Sequence, residues 1–125
     1  MFKNLTISSL LGMLAVILGA FGAHSLKNTL TIDQLQSFET AVRYQMYHVI
    51  ILLFVNVYSG FSGAQKNKIS YLFFLGILFF SGSIYLIQLT SIRAKSIWFI
   101  TPLGGLLLVL GWIVMIIYFA RRNKQ

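Results

Sequence analysis

Four apolar runs, about Leu5–Ala23, Ala41–Gly60, Ile69–Leu89 and Ile97–Phe119, use up nearly the whole chain. A bilayer-spanning helix needs about 20 predominantly apolar residues, and each run supplies that many. The segments between them are too short for a second domain. The expected fold is therefore an all-α integral membrane protein, with residues 1–125 forming a single four-transmembrane-helix bundle.

Composition agrees with a lipid solvent. Of 125 residues, 58% are hydrophobic and 10% charged, against about 25% charged in soluble domains, and the mean hydropathy is +0.82. Ten Lys and Arg oppose Asp33 and Glu39 for a net charge of +8. The basic residues stand between or beside the apolar runs, where they act as headgroup anchors and topology signals, so no nucleic-acid partner is expected. Lys3, Lys66, Lys68, Arg121, Arg122 and Lys124 fall on one side, and Lys27, Arg43, Arg93 and Lys95 on the other. That excess predicts both termini in the cytoplasm. The absence of cysteine removes disulfides and thiolate chemistry.

Local signals set the helix ends. Ala20-Phe21-Gly22 would serve as a leader cleavage site, but the patterned face of the first run argues for a retained span. Thr31-Ile32-Asp33-Gln34 reads as a capping box with an acid in the positive first turn. With no Gly or Pro until Gly60, the second helix runs for about 28 residues, longer than the bilayer core at about 1.5 Å per residue. Its N-terminal turns, carrying Asp33, Glu39 and Arg43, should protrude. Lys66-Asn67-Lys68 reads as a short basic turn, Thr90–Lys95 as another. The fourth span starts near Ser96–Trp98 with Pro102 in its first turns, where a missing N–H costs least.

The helix faces divide into packing and chemistry. Ser8, Gly12, Ala15, Gly19 and Gly22 line one face of the first span, and Thr101, Gly104, Leu108, Gly111 and Met115 one face of the fourth. Small residues let helix backbones approach closely in lipid, where apolar burial alone gives no preference. On this reading Gly19→Leu costs about 1–3 kcal/mol by overpacking, far more than Leu52→Ala.

On the second span Gln45, His48, Asn56 and Ser59 share an arc of about 80°. Intramembrane polar groups face the bundle interior or water. His48 is read as a neutral imidazole bridging helices through Gln45, Ser81 or Tyr85, with proton handling or metal binding as rivals. No carboxylate lies inside a span to support either rival, and His24 at the interface adds only one more metal ligand. Ser81 and Tyr85 lie one turn apart and can reach one neighbouring helix. No Gly-x-Ser-x-Gly, phosphate-loop, zinc-protease or dinucleotide motif occurs. The chain is therefore expected not to be an enzyme, and no cofactor or metal is expected.

Several segments together resemble a known family: Gly19-Ala20-Phe21-Gly22-Ala23-His24, Phe38-Glu39-Thr40-Ala41 leading to Tyr44-Gln45-Met46-Tyr47-His48, Phe80-Ser81-Gly82-Ser83-Ile84-Tyr85, and Thr101-Pro102-Leu103-Gly104-Gly105 with Gly111-Trp112. They are similar to the YgdD/YwdK-like small inner-membrane proteins of bacteria, which have mitochondrial relatives in animals. The resemblance implies four spans and no agreed activity, substrate or cofactor. The candidate polar cluster is thus His24, Gln45, His48, Ser81, Tyr85 and Thr101. The packing set is Gly12, Ala15, Gly19, Gly22, Gly104 and Gly111.

The leading expectation is a non-enzymatic binding or accessory/assembly component in contact with the lipid bilayer, joining a second copy or other membrane proteins through its small-residue faces. The alternative is a small transporter or channel component, for protons or cations, using the polar stripe around His48.

Overall fold

The structure is a computed structural model, and it describes residues 2–122; Met1, Asn123, Lys124 and Gln125, including the last basic residue of the expected tail, lie outside the described residues. Helix α1 (Phe2–His24) leads through a 3₁₀ turn at Leu26–Asn28 to α2 (Ile32–Val57). Helix α3 (Gly63–Leu89) follows, then a short α4 (Ala94–Ile97) and α5 (Ile100–Arg122).

Residue chemistry accounts for the boundaries. Thr31 caps α2 reciprocally: its hydroxyl accepts from the Gln34 N–H at 3.2 Å, and its own N–H donates to Gln34 Oε1 at 2.9 Å. The same box recurs unannounced at Ser62–Gln65, with distances of 3.2 and 2.9 Å. This second box corrects the sequence reading, because it starts α3 at Gly63 and carries Lys66-Asn67-Lys68 inside the helix instead of in a turn. Helix α2 ends at Val57, where Tyr58 turns extended.

The expected continuous fourth helix is instead broken between α4 and α5. A helix running through Trp98 would need Pro102 to donate a bond to the Trp98 carbonyl, and its ring would strike that carbonyl. The chain turns at Trp98-Phe99 and restarts at Ile100, leaving Pro102 in the first turn of α5.

Close packing is sequential: α1 on α2, α2 on α3, and α3 on α5. Every neighbouring pair is antiparallel, as matched positions show. Asn4 meets Asn56 where α1 starts and α2 ends, His48 meets Phe73 midway along α2 and α3, and Ser83 meets Thr101 where α3 ends and α5 starts. The apolar core, including Leu52, Val55, Phe61, Ile69, Phe73 and Leu108, lies where α2, α3 and α5 meet. The outward faces are equally apolar: Val16, Ile50, Leu78 and Ile116 are each more than half exposed. A shell of that kind marks a surface made for an apolar partner, and the four long helices are long and apolar enough to cross a membrane. The protein is a four-span helical membrane protein, and the polar first turn of α2 stands exposed at one end.

Candidate functional site

Helix periodicity turns Ala41, Gln45, His48, Leu52 and Asn56 into one buried stripe along α2. Polar side chains on this stripe cannot reach water, so each must find a partner on a neighbouring helix or on its own backbone.

Gln45 does so in both directions. Its Nε2 donates to the Leu11 carbonyl of α1 at 2.7 Å, and its Oε1 accepts from the Tyr85 hydroxyl of α3 at 2.7 Å. One turn earlier, Ser81 on α3 donates to the Ala41 carbonyl at 2.7 Å. That carbonyl already serves the α2 ladder and accepts through its second lone pair. Gln45, Ser81 and Tyr85 therefore form one tie between α1, α2 and α3.

His48 is held by groups that the helical pattern of α2 does not reveal. Its Nδ1 lies 2.6 Å from the Tyr44 carbonyl, and its Nε2 accepts from the Trp112 indole at 3.0 Å. An indole N–H can only donate, so Nε2 must be the lone-pair nitrogen and Nδ1 carries the proton toward Tyr44. Phe73 and Trp112 close over the ring edge-on, with centroids 5.1 and 5.9 Å away. The expected bridge thus exists, but it runs to α5 through Trp112 rather than to Gln45, Ser81 or Tyr85.

The other two candidates lie apart. Thr101 pairs with the Ser83 hydroxyl, joining α5 to α3. His24 is exposed at the last turn of α1, beside the α2 end that carries Phe38, whose ring faces Gly22. Ten residues of helix, about 15 Å, separate that level from His48. Among the described residues no group of three His, Asp or Glu could hold a metal ion.

A second polar tie escaped the sequence reading. Asn4, buried in the first turn of α1, donates through Nδ2 to Asn56 Oδ1 at 3.0 Å and to Asn67 Oδ1 at 2.9 Å. Asn56 in turn donates to the Leu52 carbonyl at 2.8 Å and to Ser70 Oγ at 2.9 Å. Lys66 reaches the Asn56 carbonyl at 3.2 Å. The available signal was an asparagine in the first turn of an apolar run, which the cost of burying an amide marks as needing a partner.

Grooves flank these ties. A groove of mixed character, about 580 Å³, opens between the start of α2 and the end of α3, lined by Asp33, Gln36, Ser37 and Thr40 with Ile84 and Ile87 among others. An apolar groove of about 390 Å³ lies on another side of α3, against Ile97 and Ile100.

Known proteins were compared with this chain. The family described as protein of unknown function (DUF423) matches residues 18–105, a stretch that includes all six candidate polar residues and leaves out Trp112. A UPF0382 membrane protein of Staphylococcus saprophyticus is 44% identical over 111 residues, covering 89% of this chain and 91% of the relative. UPF0382 membrane proteins of Staphylococcus haemolyticus and Staphylococcus epidermidis are 44% and 42% identical, each with 89% of both chains covered. No solved structure matches the chain.

Proposed function

The chain belongs to the DUF423 family of membrane proteins of unknown function, and from that premise we propose that it acts without catalysis, as a binding or accessory component of the bacterial cytoplasmic membrane. The motifs quoted from the sequence support a further reading, a likeness to the YgdD/YwdK-like inner-membrane proteins. Both termini face the cytoplasm, following the Lys and Arg distribution. Because the chain has no cysteine, single cysteines report this directly. A membrane-impermeant maleimide applied to intact cells should label Ser91→Cys and spare Ser62→Cys; the opposite pattern reverses the orientation.

One observation carries the accessory reading: the polar groups inside the spans are bonded to one another. Among the described residues no buried side-chain nitrogen or oxygen is left without a partner. His48, the intramembrane group best suited to proton transfer, has both ring nitrogens engaged, and a second proton would point at the Trp112 N–H. Proton or ion carriage needs groups that exchange partners along a wet path. This stripe instead ties helices together, which leaves recognition to surfaces outside it, the mixed groove at Asp33 foremost.

The test is proton flux in liposomes. Wild-type protein should give no flux above protein-free liposomes at any imposed pH gradient. A wild-type flux that vanishes in a folded His48→Gln protein would overturn the accessory reading and favour a transporter.

A further inference from the structure

Four glycines in the spans, Gly22, Gly76, Gly104 and Gly111, sit where a side chain has no room. A Cβ on Gly76 would lie 2.5 Å from Leu108 Cδ2, and one on Gly22 2.8 Å from the Phe38 ring. Gly82 is different. A Cβ there would meet only Leu78 Cδ1, at 3.9 Å, so close helix contact does not explain the missing side chain. Gly82 borders two hollows: a smaller one of about 180 Å³ toward Leu11, Gln45 and Tyr85, and the apolar groove, which it lines with Leu78, Ser83, Leu86, Ile97 and Ile100. The one hydroxyl in the floor, on Ser83, is already bonded to the Phe80 carbonyl and to Thr101, so the groove offers an occupant no polar partner.

From Leu78 to Leu86 the groove follows α3 for eight residues, about 12 Å along the membrane normal. Its wall at Ile97 belongs to α4, whose neighbours Arg93 and Lys95 are exposed on the same short segment. Trp98 and Phe99, 68% and 53% exposed, follow directly and set this level at the headgroup boundary, where aromatic residues concentrate. An apolar slot inside the hydrocarbon, with Arg93 and Lys95 on the short segment that supplies its Ile97 wall, is complementary to one neighbour in a bilayer.

We propose that this groove holds an acyl chain of an anionic phospholipid whose phosphate is held by Arg93 and Lys95. Gly82 gives the chain its space, and the two basic side chains select the charge of the head. The site is independent of the accessory reading above, since a transporter of the same fold would carry it equally.

Trp98 is the reporter. In a Trp112→Phe background it is the sole tryptophan. The protein is reconstituted in phosphatidylcholine vesicles holding a minor fraction of brominated phosphatidylglycerol or, separately, brominated phosphatidylcholine. The brominated anionic lipid should quench Trp98 with an apparent affinity on the order of tenfold higher than the zwitterionic one, as two nearby basic residues imply. Arg93→Gln with Lys95→Gln, both at exposed positions, should erase that preference. Gly82→Phe should fill the groove and abolish saturable quenching by either lipid while the helical spectrum is unchanged. Equal quenching by both lipids in the parent overturns the proposal, as does a preference that survives the double substitution. A preference that survives Gly82→Phe reduces the effect to surface attraction and overturns the groove. Protection of Trp98 from both lipids with a doubled particle mass would assign the groove to a second copy and also overturns it.

Discussion

Along α5, Gly104 and Gly111 bring the helix so near α3 that a Cβ at Gly104 would lie 2.6 Å from the Phe79 carbonyl carbon and press on the Phe80 nitrogen, and one at Gly111 would enter the Phe73 ring. Along α1, the same spacing of small residues faces something softer. A Cβ at Gly12 would stand 3.2 Å from Val49 Cγ1, and one at Gly19 3.4 Å from Val42 Cγ1. At Gly104 α5 touches its neighbour's backbone; at Gly12 and Gly19 α1 touches branched side chains that stand off the backbone as spacers, and it closes in only at Gly22, against the Phe38 ring. A stripe of small residues therefore marks a contact face without saying how close the contact is. Closeness depends on what the facing helix presents, and in lipid that closeness is the source of packing energy.

The comparison breaks first at Gly104. Gly104→Leu has no rotamer that avoids the α3 backbone, and backbone cannot swing aside as a side chain can. The expected cost is about 3 kcal/mol, the upper end for overpacking, read as a lowered midpoint of denaturant unfolding in detergent micelles. A loss smaller than that caused by Gly12→Leu would show that α5 is not the tight side.

A moderate effect separates the polar ties from the glycine contacts. His48 links α2 to α5 through one indole hydrogen bond, and interhelical bonds in membranes are worth about 0.6 kcal/mol on average. His48→Leu, Trp112→Phe and the double variant form a cycle whose coupling energy should be about that size. Coupling indistinguishable from zero would mean that the ring and the indole are neighbours without a bond. His48→Gln should keep most of the coupling, since its amide oxygen can still accept from the indole.

Sequence reading goes a long way here because a membrane imposes few solutions. Four apolar runs leave four helices, Thr31 and Gln34 name their own cap, and the cost of intramembrane polarity flags Gln45, His48, Ser81 and Tyr85 before any partner is known. What was missed is tertiary. Periodicity puts His48 on a face of α2, but nothing in that period points to Trp112, sixty-four residues away. Asn4 and Asn67 were passed over because each sits near a span end, where water is the default partner; only the convergence of α1, α2 and α3 makes them donor and acceptor. Ser62–Gln65 hid behind the lysines that follow, which look like a turn because they are charged and oppose the dipole of a helix start; Lys66 is held there by the Asn56 carbonyl. Gly82 reads like any other small residue until the space above it is known.

The smallest expected effect is at Gly19. The sequence reading expects Gly19→Leu to cost far more than Leu52→Ala, and a single methyl there tests how much room that face leaves. Gly19 is only half-buried, and its Cβ would sit at ordinary van der Waals distance from Val42. Gly19→Ala gains helix propensity, about 0.8–1.0 kcal/mol in a soluble helix, and adds one methyl contact across α1 and α2. In lipid much of the propensity gain disappears, because the helix is held by its own hydrogen bonds whether or not α1 packs. The net change should fall within about 0.5 kcal/mol, the range of substitutions that break nothing. Leu52, fully buried between α2 and α3, should behave in the opposite way. Leu52→Ala leaves a cavity, at about 2 kcal/mol, the lower end of such losses because lipid removes the transfer advantage of a buried leucine and leaves the void. Measured side by side in detergent micelles, Gly19→Ala should unfold with the parent and Leu52→Ala well before it. If Gly19→Ala is the weaker of the two, α1 lies against α2 more tightly than Val42 and Val49 allow, and the difference between the two outer helices disappears.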